Sequence, residues 1–545
     1  MKAPAERRDS FQMSSGVRCY YSMVGTFYVQ NFGCRATQAD GAAIERQFEE
    51  RGLERAAAIA EAEIVVLNTC TVTSSADQDA RAAIRRVHRE NPDARIVVTG
   101  CYAQRCPDEL AALPGVAQVI GNSHKHQLAE IAIAPNLDSS SAAFPLSAPA
   151  AFVPLITLAG APHVRQRPTT DDQRQIFVSD IFAHTELLAA PVFAASNERT
   201  RPNLKVQDGC NNRCSFCVIP YVRGQSRSLR LNQILQEVDT LVAAGHRELV
   251  ISGINLGRWG RDLDARVESQ LPGLKSQVSG VEEDVGFLGL SQQATTSGQE
   301  PGTGDRRTAS SPQPRFEDLV RLILSHTSLE KLRISSVEPM DWSDELIDLV
   351  ASSPRIAKHA HVPMQSGSDA VLRRMHRKYR PWHYREKIER IRAAIPDAAI
   401  GADVMVGFPG ETEPEFEETR RMIEDLPFTY LHVFTYSARP GTPAADLPRQ
   451  VPVHVARARN RTLRDLAERK KLAFMRGFVG KTVKAITLTG GADTFVFEAL
   501  EPQFTEALTD NFLKLRLIGR HEPNRWITAR VENVADGALF ARTEQ

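Results

Sequence analysis

Several features that would restrict the function of a protein are missing from this sequence of 545 residues. It has no run of about eighteen apolar residues, so no membrane-spanning helix is expected. Residues 1–24 contain three arginines but no continuous apolar segment, so we expect no secretory signal and predict a disordered extension there. The formal net charge is only +1, so any surface that binds nucleic acid must be a local patch.

Cysteine is also scarce, with 8 residues in the whole chain. That number is too small for a disulfide scaffold in a protein of this length. In a chain without an export signal it indicates metal or redox chemistry instead. We therefore expect a cytoplasmic protein with no membrane association. The length exceeds what one hydrophobic core supports and predicts about two to four domains.

Three of the cysteines lie in one short loop, Cys210-x3-Cys214-x2-Cys217. Thiolates so closely spaced can bind one metal centre, and soft sulfur ligands favour iron–sulfur clusters or zinc. A structural zinc site needs four protein ligands, and no fourth cysteine or histidine follows at a suitable spacing. A four-iron cluster normally takes four cysteines, so one held by three keeps an iron open to an exogenous molecule. On spacing alone, zinc remains an alternative.

Three more cysteines follow predicted strands in residues 25–131. The cysteines are Cys34, Cys70 and Cys101, and the strands are Thr26–Gln30, Ile64–Leu67 and Arg95–Thr99. Helical spacing between the strands predicts βαβ units and an open parallel sheet. Because the carboxyl ends of such strands meet at one edge, the three thiols are expected to bind one metal. The alternative is that they are ordinary buried cysteines. Cys19 and Cys106 are not expected to be ligands.

Residues 199–475, which carry the Cys210 loop, alternate predicted strands with helices. The strands are Leu204–Gln207, Glu248–Ser252, Lys331–Ser335, His359–Met364, Ile400–Val406 and Tyr430–Tyr436. This pattern predicts a partial (β/α)6 barrel with its active site at the carboxyl ends of the strands. The Ala/Pro/Ser-rich stretch 132–198 is predicted to be a linker, with a short strand near Ile176–Val178, and 264–314 a disordered insertion. Short alternating runs over 476–545 predict a small β-barrel.

Small and polar residues at the ends of the barrel strands suit a nucleotide-like cofactor. They are Ser252, Gly253, Gln365, Ser366, Gly407 and Gly410. A glycine lets the backbone approach a bound molecule closely, although a tight turn is the alternative explanation for each one.

The densest basic run of the chain lies in the barrel region. Its candidate RNA-binding residues are Arg373, Arg374, Arg377, Lys378 and Tyr379. Basic and aromatic side chains in one run can bind phosphate and base, although a solvated helix face is the ordinary alternative.

With both cysteine triads in place, the chain resembles the radical S-adenosylmethionine (SAM) methylthiotransferases along nearly its whole length, apart from the leader and the two linkers. The segments that carry the resemblance are Gly33-Cys34, Asn68 through Thr73, Thr99 through Gln104, Gly209 through Pro220, Pro363 through Ser368 and Val406 through Glu411. Residues 476–545 resemble the TRAM RNA-binding domain of that family. One departure is Thr37, where the family usually has asparagine.

The resemblance implies two 4Fe-4S clusters and SAM as cofactors. Cys210, Cys214 and Cys217 would hold the cluster that binds SAM. Cleavage of this SAM would give a deoxyadenosyl radical, which removes a hydrogen atom from C2 of an adenine. The N-terminal cysteine triad would hold the second cluster, which delivers the sulfur. The Asn-Thr-Cys-Thr-Val-Thr and Arg-Arg-Met-His-Arg-Lys-Tyr runs look most like the branch that acts on N6-threonylcarbamoyladenosine beside the tRNA anticodon.

The implied partners are the tRNA anticodon stem-loop and an electron donor such as a flavodoxin or ferredoxin. Two alternatives are enzymes of the same family, acting on isopentenyladenosine in tRNA or on an aspartate of a ribosomal protein. A third is a non-catalytic, metal-stabilised RNA-binding protein.

Overall fold

The structure is a computed structural model that describes residues 25–134, 175–184, 200–263, 313–489 and 504–544. The predicted extension over 1–24 lies outside these residues, as do nearly all of the predicted insertion 264–314 and most of the predicted linker 132–198. Within the described ranges, no helix combines the length and the apolar character needed to cross a membrane.

The first part of the chain forms a six-stranded parallel sheet with the strand order β2-β1-β3-β4-β5-β6. Its strands are β1 Thr26–Asn31, β2 Glu54–Arg55, β3 Ile64–Thr69, β4 Arg95–Gly100, β5 Val116–Gly121 and β6 Gln175–Phe177. Its helices are α1 Arg35–Glu49, α2 Ser74–Glu90, α3 Cys101–Arg105, α4 Pro107–Ala111 and α5 Leu128–Ile133. The apolar residues of β3 are buried on both faces of the sheet, Val65 in one core and Val66 in the other. This explains why that strand reads as a continuous apolar run.

Two details of this domain differ from the sequence-based prediction. Helix α1 begins directly after Cys34, although apolar spacing predicts a start at Ala39. The cause is that its first turns bury polar residues such as Thr37, which hide the periodicity. The predicted short strand near Ile176–Val178 is confirmed as β6. It is not part of a free linker, because it pairs with β5 and Ile176 packs on the core, so it is an edge strand of this sheet.

The second part of the chain is a curved sheet of strands alternating with helices. Its strands are β7 Asn203–Asp208, β8 Arg227–Ser228, β9 Glu248–Gly253, β10 Lys331–Ile334, β11 His359–His361, β12 Ala399–Val406 and β13 Tyr430–Thr435. Its helices are α6 Ile219–Arg223, α7 Leu231–Ala243, α8 Phe316–His326, α9 Asp344–Ser352, α10 Asp369–Arg374, α11 Pro381–Ala394, α12 Glu413–Asp425 and α13 Val453–Arg476. A parallel bridge between Ser336 and His361 joins the β10 and β11 edges, so six parallel strands form the predicted partial barrel.

Alternation along each barrel strand separates two environments. Ala402 and Val404 of β12 belong to the large apolar core between the sheet and its outer helices. Asp403 lies between them in sequence, so its side chain points to the opposite, inner face. The inner face of this barrel is therefore partly polar.

The last part of the chain is a closed barrel with the strand order β14-β15-β16-β18-β17. Its strands are β14 Thr482–Thr487, β15 Phe504–Thr509, β16 Lys514–Ile518, β17 Trp526–Ala535 and β18 Ala538–Thr543. Asp510 pairs with Lys331 at 3.1 Å, and the Phe512 ring lies 4.7 Å from that of His359. Both partners are at the starts of their strands, so this small barrel covers the end of the larger barrel away from the cysteine loops.

Candidate functional site

The first three cysteines meet at the carboxyl edge of the N-terminal sheet. Cys34 precedes α1, Cys70 follows β3, and Cys101 begins α3. Gly33 has a φ of +107°, and a Cβ on it would lie 3.0 Å from Cys70 Sγ. Only glycine therefore allows the Cys34 loop to approach the Cys70 thiol this closely.

The three thiols differ in their surroundings. Cys34 is exposed, whereas Cys70 and Cys101 are buried. Burial, assisted by the neighbouring Cys101, raises the pKa of the Cys70 thiol to about 12. A thiol of this kind ionises when a cation compensates its charge, as a metal centre does. The Thr37 hydroxyl, at the position where the sequence departs from the family, lies 3.6 Å from Cys34 Sγ.

The second triad lies in the loop after β7, where backbone and side-chain N–H groups surround the sulfur atoms. Cys210 Sγ accepts from the Asn212 amide at 3.4 Å and from Asn255 Nδ2 at 3.6 Å. Arg377 Nη1 donates to Cys214 Sγ at 3.3 Å. Burial, with Cys214 nearby, raises the pKa of the Cys217 thiol to about 12. N–H groups directed at sulfur stabilise the negative charge of a bound iron–sulfur cluster and tune its potential.

The spacing of the sulfur atoms favours a cluster over a single zinc ion. Among the described residues, only His361, Asp403 and His432 bring three donor atoms within 4.8 Å of one another. Each cysteine triad is therefore wider than that. Zinc–sulfur bonds are about 2.3 Å long, so sulfur ligands of one zinc ion lie less than about 4.6 Å apart. The donor sets fit a multi-iron cluster, in which each cysteine binds a different iron atom.

The first cysteine triad contacts the segment that follows the Cys210 loop. Cys101 packs against Val218 and Val222, which follow Cys217 in the chain. Asn122 Nδ2 lies 3.6 Å from Cys101 Sγ and donates to the Val222 carbonyl at 2.7 Å. The Cys101 thiol and the segment after the Cys210 loop are thus held in direct contact.

The end of β13 holds the Cys70 loop on the barrel. Arg439 Nη1 donates to the Thr71 carbonyl at 3.2 Å and pairs with Asp77 at 2.7 Å. Ser437 Oγ lies 3.0 Å from Ser74 Oγ. The N-terminal sheet is therefore fixed across the mouth of the barrel by contacts that flank the first triad.

A buried ionic network lies between the two cysteine loops, and sequence reasoning missed it. Arg223 bridges Asp40 of α1, at 2.9 Å, and Asp208, which precedes the Cys210 loop, at 3.0 Å. Lys125 contacts Asp40 at 3.0 Å, and Lys205 contacts both carboxylates. Burial alone would raise the pKa of Asp40, but the three cations outweigh it and hold the pKa well below its usual value. Their charges exceed those of the two carboxylates by one, which suits a neighbouring anionic cluster.

The residues predicted to bind the cofactor fall into two groups. Ser252 and Gly253 end β9 close to the Cys210 loop, and the Ser252 hydroxyl is buried without a hydrogen-bond partner among the described residues. Ser366 Oγ, in contrast, lies 3.1 Å from Thr419 Oγ1 of the outer helix α12. The Ser366 hydroxyl therefore already has a hydrogen-bond partner within the protein.

The other three predicted cofactor residues are also shaped by contacts within the protein. Gly407 packs against Ala456, since a Cβ on it would lie 2.6 Å from the Ala456 Cβ. The Gly410 carbonyl accepts from Arg374 at 3.3 Å, and Gln365 has a φ of 61° in the turn after β11. Only Ser252 among the six offers a buried polar atom that a ligand could satisfy.

The predicted RNA-binding run is not one surface. Tyr379 is buried, and its hydroxyl donates to the Met364 carbonyl at 2.6 Å. Arg377 is buried against Cys214 and Glu338. The prediction that Tyr379 and Arg377 contact RNA is therefore wrong, because both side chains are buried inside the protein. The reason is that α10 ends at Arg374 and the chain then turns inward at His376, which has a φ of 57°.

The remaining members of that run lie nearer to solvent. Arg374 is half-buried and pairs with Glu415 at 2.8 Å. Arg373 and Lys378 are exposed. Arg373 pairs with Asp369 at 2.8 Å, but its side chain is still 62% exposed. Of the five residues in this run, Arg373 and Lys378 are therefore the ones that a macromolecular partner can reach.

Comparison with known proteins agrees with this architecture. Residues 26–121 match the model of Uncharacterized protein family UPF0004, and residues 204–271 and 281–423 match that of the radical SAM superfamily. The fold and the Cys210 loop thus define a radical-SAM enzyme.

Relatives that match most of the chain narrow the class. The threonylcarbamoyladenosine tRNA methylthiotransferase MtaB of Bacillus subtilis (strain 168) is 31% identical, with 92% of each chain covered. The protein of the same name from Aquifex aeolicus (strain VF5) is 30% identical, covering 91% of this chain and 98% of its own. A tRNA-2-methylthio-N(6)-dimethylallyladenosine synthase of Acidothermus cellulolyticus is 32% identical over 85% of this chain and 78% of its own. This chain belongs to the radical-SAM methylthiotransferase family, and SAM and iron–sulfur clusters are its cofactors.

Proposed function

We propose that the protein adds a methylthio group to C2 of N6-threonylcarbamoyladenosine in tRNA, at the position next to the anticodon. The observation that carries the proposal is the contact between Cys101 of the first triad and the segment after the Cys210 loop, since sulfur insertion needs a radical source and a sulfur source at the same carbon. The relatives from Bacillus subtilis and Aquifex aeolicus, named for that substrate, support the choice of nucleoside.

Each triad is assigned one 4Fe-4S cluster. Cys210, Cys214 and Cys217 would hold the cluster that binds SAM. Cys34, Cys70 and Cys101 would hold the second cluster. When bound, the first cluster would supply the one-electron cleavage of SAM, the second cluster the sulfur, and a second SAM molecule the methyl group of the product. The chain itself places N–H donors against the sulfur ligands and a net positive network between the two sites, and the packing of Cys101 on Val222 excludes water between them.

The proposal includes the partners of the enzyme. Its substrate would be the anticodon stem-loop of tRNA, contacted in part by the exposed Arg373 and Lys378, with the C-terminal barrel as an RNA-binding module. A flavodoxin or ferredoxin would donate the electrons. We place the protein in the cytoplasm, without membrane association, where its RNA substrate is found.

Nucleoside mass spectrometry of tRNA tests the proposal. A strain without this gene should lose 2-methylthio-N6-threonylcarbamoyladenosine and keep its precursor, and the wild-type gene should restore the product. Genes with Cys34→Ala or Cys210→Ala should fail to restore it. An unchanged profile in the deletion strain, or loss of the methylthio derivative of isopentenyladenosine instead, would contradict the assignment.

A further inference from the structure

The inner face of β13 carries four ring side chains, of which the two in the middle are exposed. Leu431 and Val433 pack against the outer core, so the alternate residues face the barrel interior. His432 is 55% exposed and Phe434 47% exposed. The interior of a filled barrel buries such side chains. We call the inward-facing residues Tyr430, His432, Phe434 and Tyr436 the inner-face row.

The inner-face row begins between the two cysteine triads. Tyr436 packs on Phe408 with ring centroids 5.5 Å apart, and Phe408 lies 6.4 Å from Phe216 of the Cys210 loop. The next residue, Ser437, contacts the helix that follows Cys70. A strand rises about 3.3 Å per residue, so Phe434 lies about 7 Å and His432 about 13 Å from the Tyr436 level. The row therefore leads from the two cysteine loops into the barrel.

A polar cluster lies at the level of His432. His432 Nδ1 and His361 Nε2 lie 3.2 Å and 3.3 Å from the same oxygen, Asp403 Oδ1. The Ser336 hydroxyl fixes the orientation of the His361 ring through Nδ1. His361 is buried, and both of its ring nitrogens have neighbours within the protein, whereas the side chains of His432 and Asp403 are 55% and 25% exposed. His432 Nε2 and Asp403 Oδ2 are therefore the polar atoms of this cluster that a ligand inside the barrel can reach.

We propose that the exposed members of the inner-face row, His432 and Phe434, bind the target nucleoside, and that His432 and Asp403, the latter held by the buried His361, bind its N6 substituent. This inference rests on the proposed function. A threonylcarbamoyl group carries urea N–H groups and a hydroxyl, which Asp403 can accept, and a carboxylate, to which imidazole N–H groups can donate. Phe434, one level nearer the clusters, contacts the base.

The same site explains how the protein would discriminate between threonylcarbamoyladenosine and dimethylallyladenosine, the two nucleosides for which the relatives are named. A dimethylallyl substituent has no hydrogen-bonding atom, so it would cover His432 Nε2 and the second Asp403 oxygen, Oδ2, without giving either a hydrogen bond. Sites built to hydrogen-bond a substrate group reject an analogue that lacks it strongly. The cluster thus acts as a specificity element for a polar substituent.

The test compares two substrates on the reconstituted full-length protein. Anticodon stem-loops bearing threonylcarbamoyladenosine or dimethylallyladenosine are assayed for kcat and KM by mass spectrometry. His432→Phe and Asp403→Asn should reduce the preference for the threonylcarbamoyl substrate about 10- to 100-fold, mainly through KM. His432→Gln, which keeps a donor and an acceptor, should retain most of it. His454 is an exposed histidine on α13, and His454→Phe is the matched control. It should leave the preference for the threonylcarbamoyl substrate unchanged.

The ratio of the two kcat/KM values is independent of the active fraction, so partial misfolding of a variant does not obscure the result. If the wild type prefers the threonylcarbamoyl substrate and His432→Phe keeps the same ratio, the inference is wrong while the proposed function stands. If the wild type modifies the dimethylallyl substrate alone, both are wrong. Binding of one additional Zn²⁺ per chain by the holoprotein, lost in Asp403→Asn with an unchanged ratio, would overturn the inference and assign the cluster to a metal ion.

Discussion

Removing the charge of Asp40 should loosen the attachment of α1 to the barrel. Asp40 is buried and contacts Arg223, Lys125 and Lys205. In Asp40→Asn, Asp208 alone would face these three cations. Breaking a buried ionic group by removing one partner costs about 3–5 kcal/mol. At about 1.4 kcal/mol per tenfold change, this loss corresponds to an increase in the opening of α1 of roughly 10²-fold to 4 × 10³-fold.

Hydrogen–deuterium exchange on the anaerobic holoprotein measures this opening. The amides of α1 in Asp40→Asn should exchange faster by the stated factor. The pKa of Asp40 is lowered in the folded protein, so its contribution is present above about pH 4, the unfolded value, and is lost as pH falls through the lower folded value. The difference between variant and wild type should therefore be constant from pH 5 to 8.

Glu50→Ala supplies the control, because its pair with Arg46 is exposed and spans one helical turn. Such pairs contribute less than about 0.5 kcal/mol, so the exchange of α1 should change by less than about threefold. If Asp40→Asn resembled this control, the network would not stabilise the domain contact and the reasoning from burial would fail.

Three further outcomes are expected. Cys34→Ala should lower the iron content of the reconstituted protein from about eight to about four atoms per chain, as measured by iron and sulfide analysis. An unchanged iron content would exclude Cys34 as a ligand. Arg377→Met removes a positive donor from Cys214 Sγ and should lower the reduction potential of that cluster in an electron-paramagnetic-resonance titration; a potential equal to that of the wild type would contradict the contact. The double variant Arg373→Ala, Lys378→Ala should reduce the log–log slope of tRNA affinity against salt by about 1.4 to 1.8, and an identical slope would remove these two residues from the RNA interface.

The sequence predicted those features that depend on local order along the chain. Cys70 and Cys101 follow continuous apolar strands, and the carboxyl ends of parallel strands share one edge, so the meeting of the first three cysteines was predictable. The partial barrel and the closed C-terminal barrel, confirmed here, also follow from alternation of short periodic segments.

Features that depend on distant pairs were not predictable. Asp40 contacts Lys205 and Arg223, which are 165 and 183 residues away, and nothing near Asp40 marks it as buried. The basic run was misread for a similar reason, since the inward turn after α10 depends on tertiary packing that buries Tyr379. His432 belongs to a predicted strand, but its role requires knowing that β12 presents Asp403 beside it.

The contact between Arg439 and Asp77 has a consequence for the order in which the protein is made. These residues are 362 positions apart in the chain, so Cys70 has emerged from the ribosome long before the arginine that locks its loop. At about 5–20 residues per second, the interval is roughly 20–70 s. During that time the thiols of the nascent N-terminal sheet lack their cover from the barrel and are open to oxidation. Iron delivery to that sheet is consequently best timed after translation has passed β13.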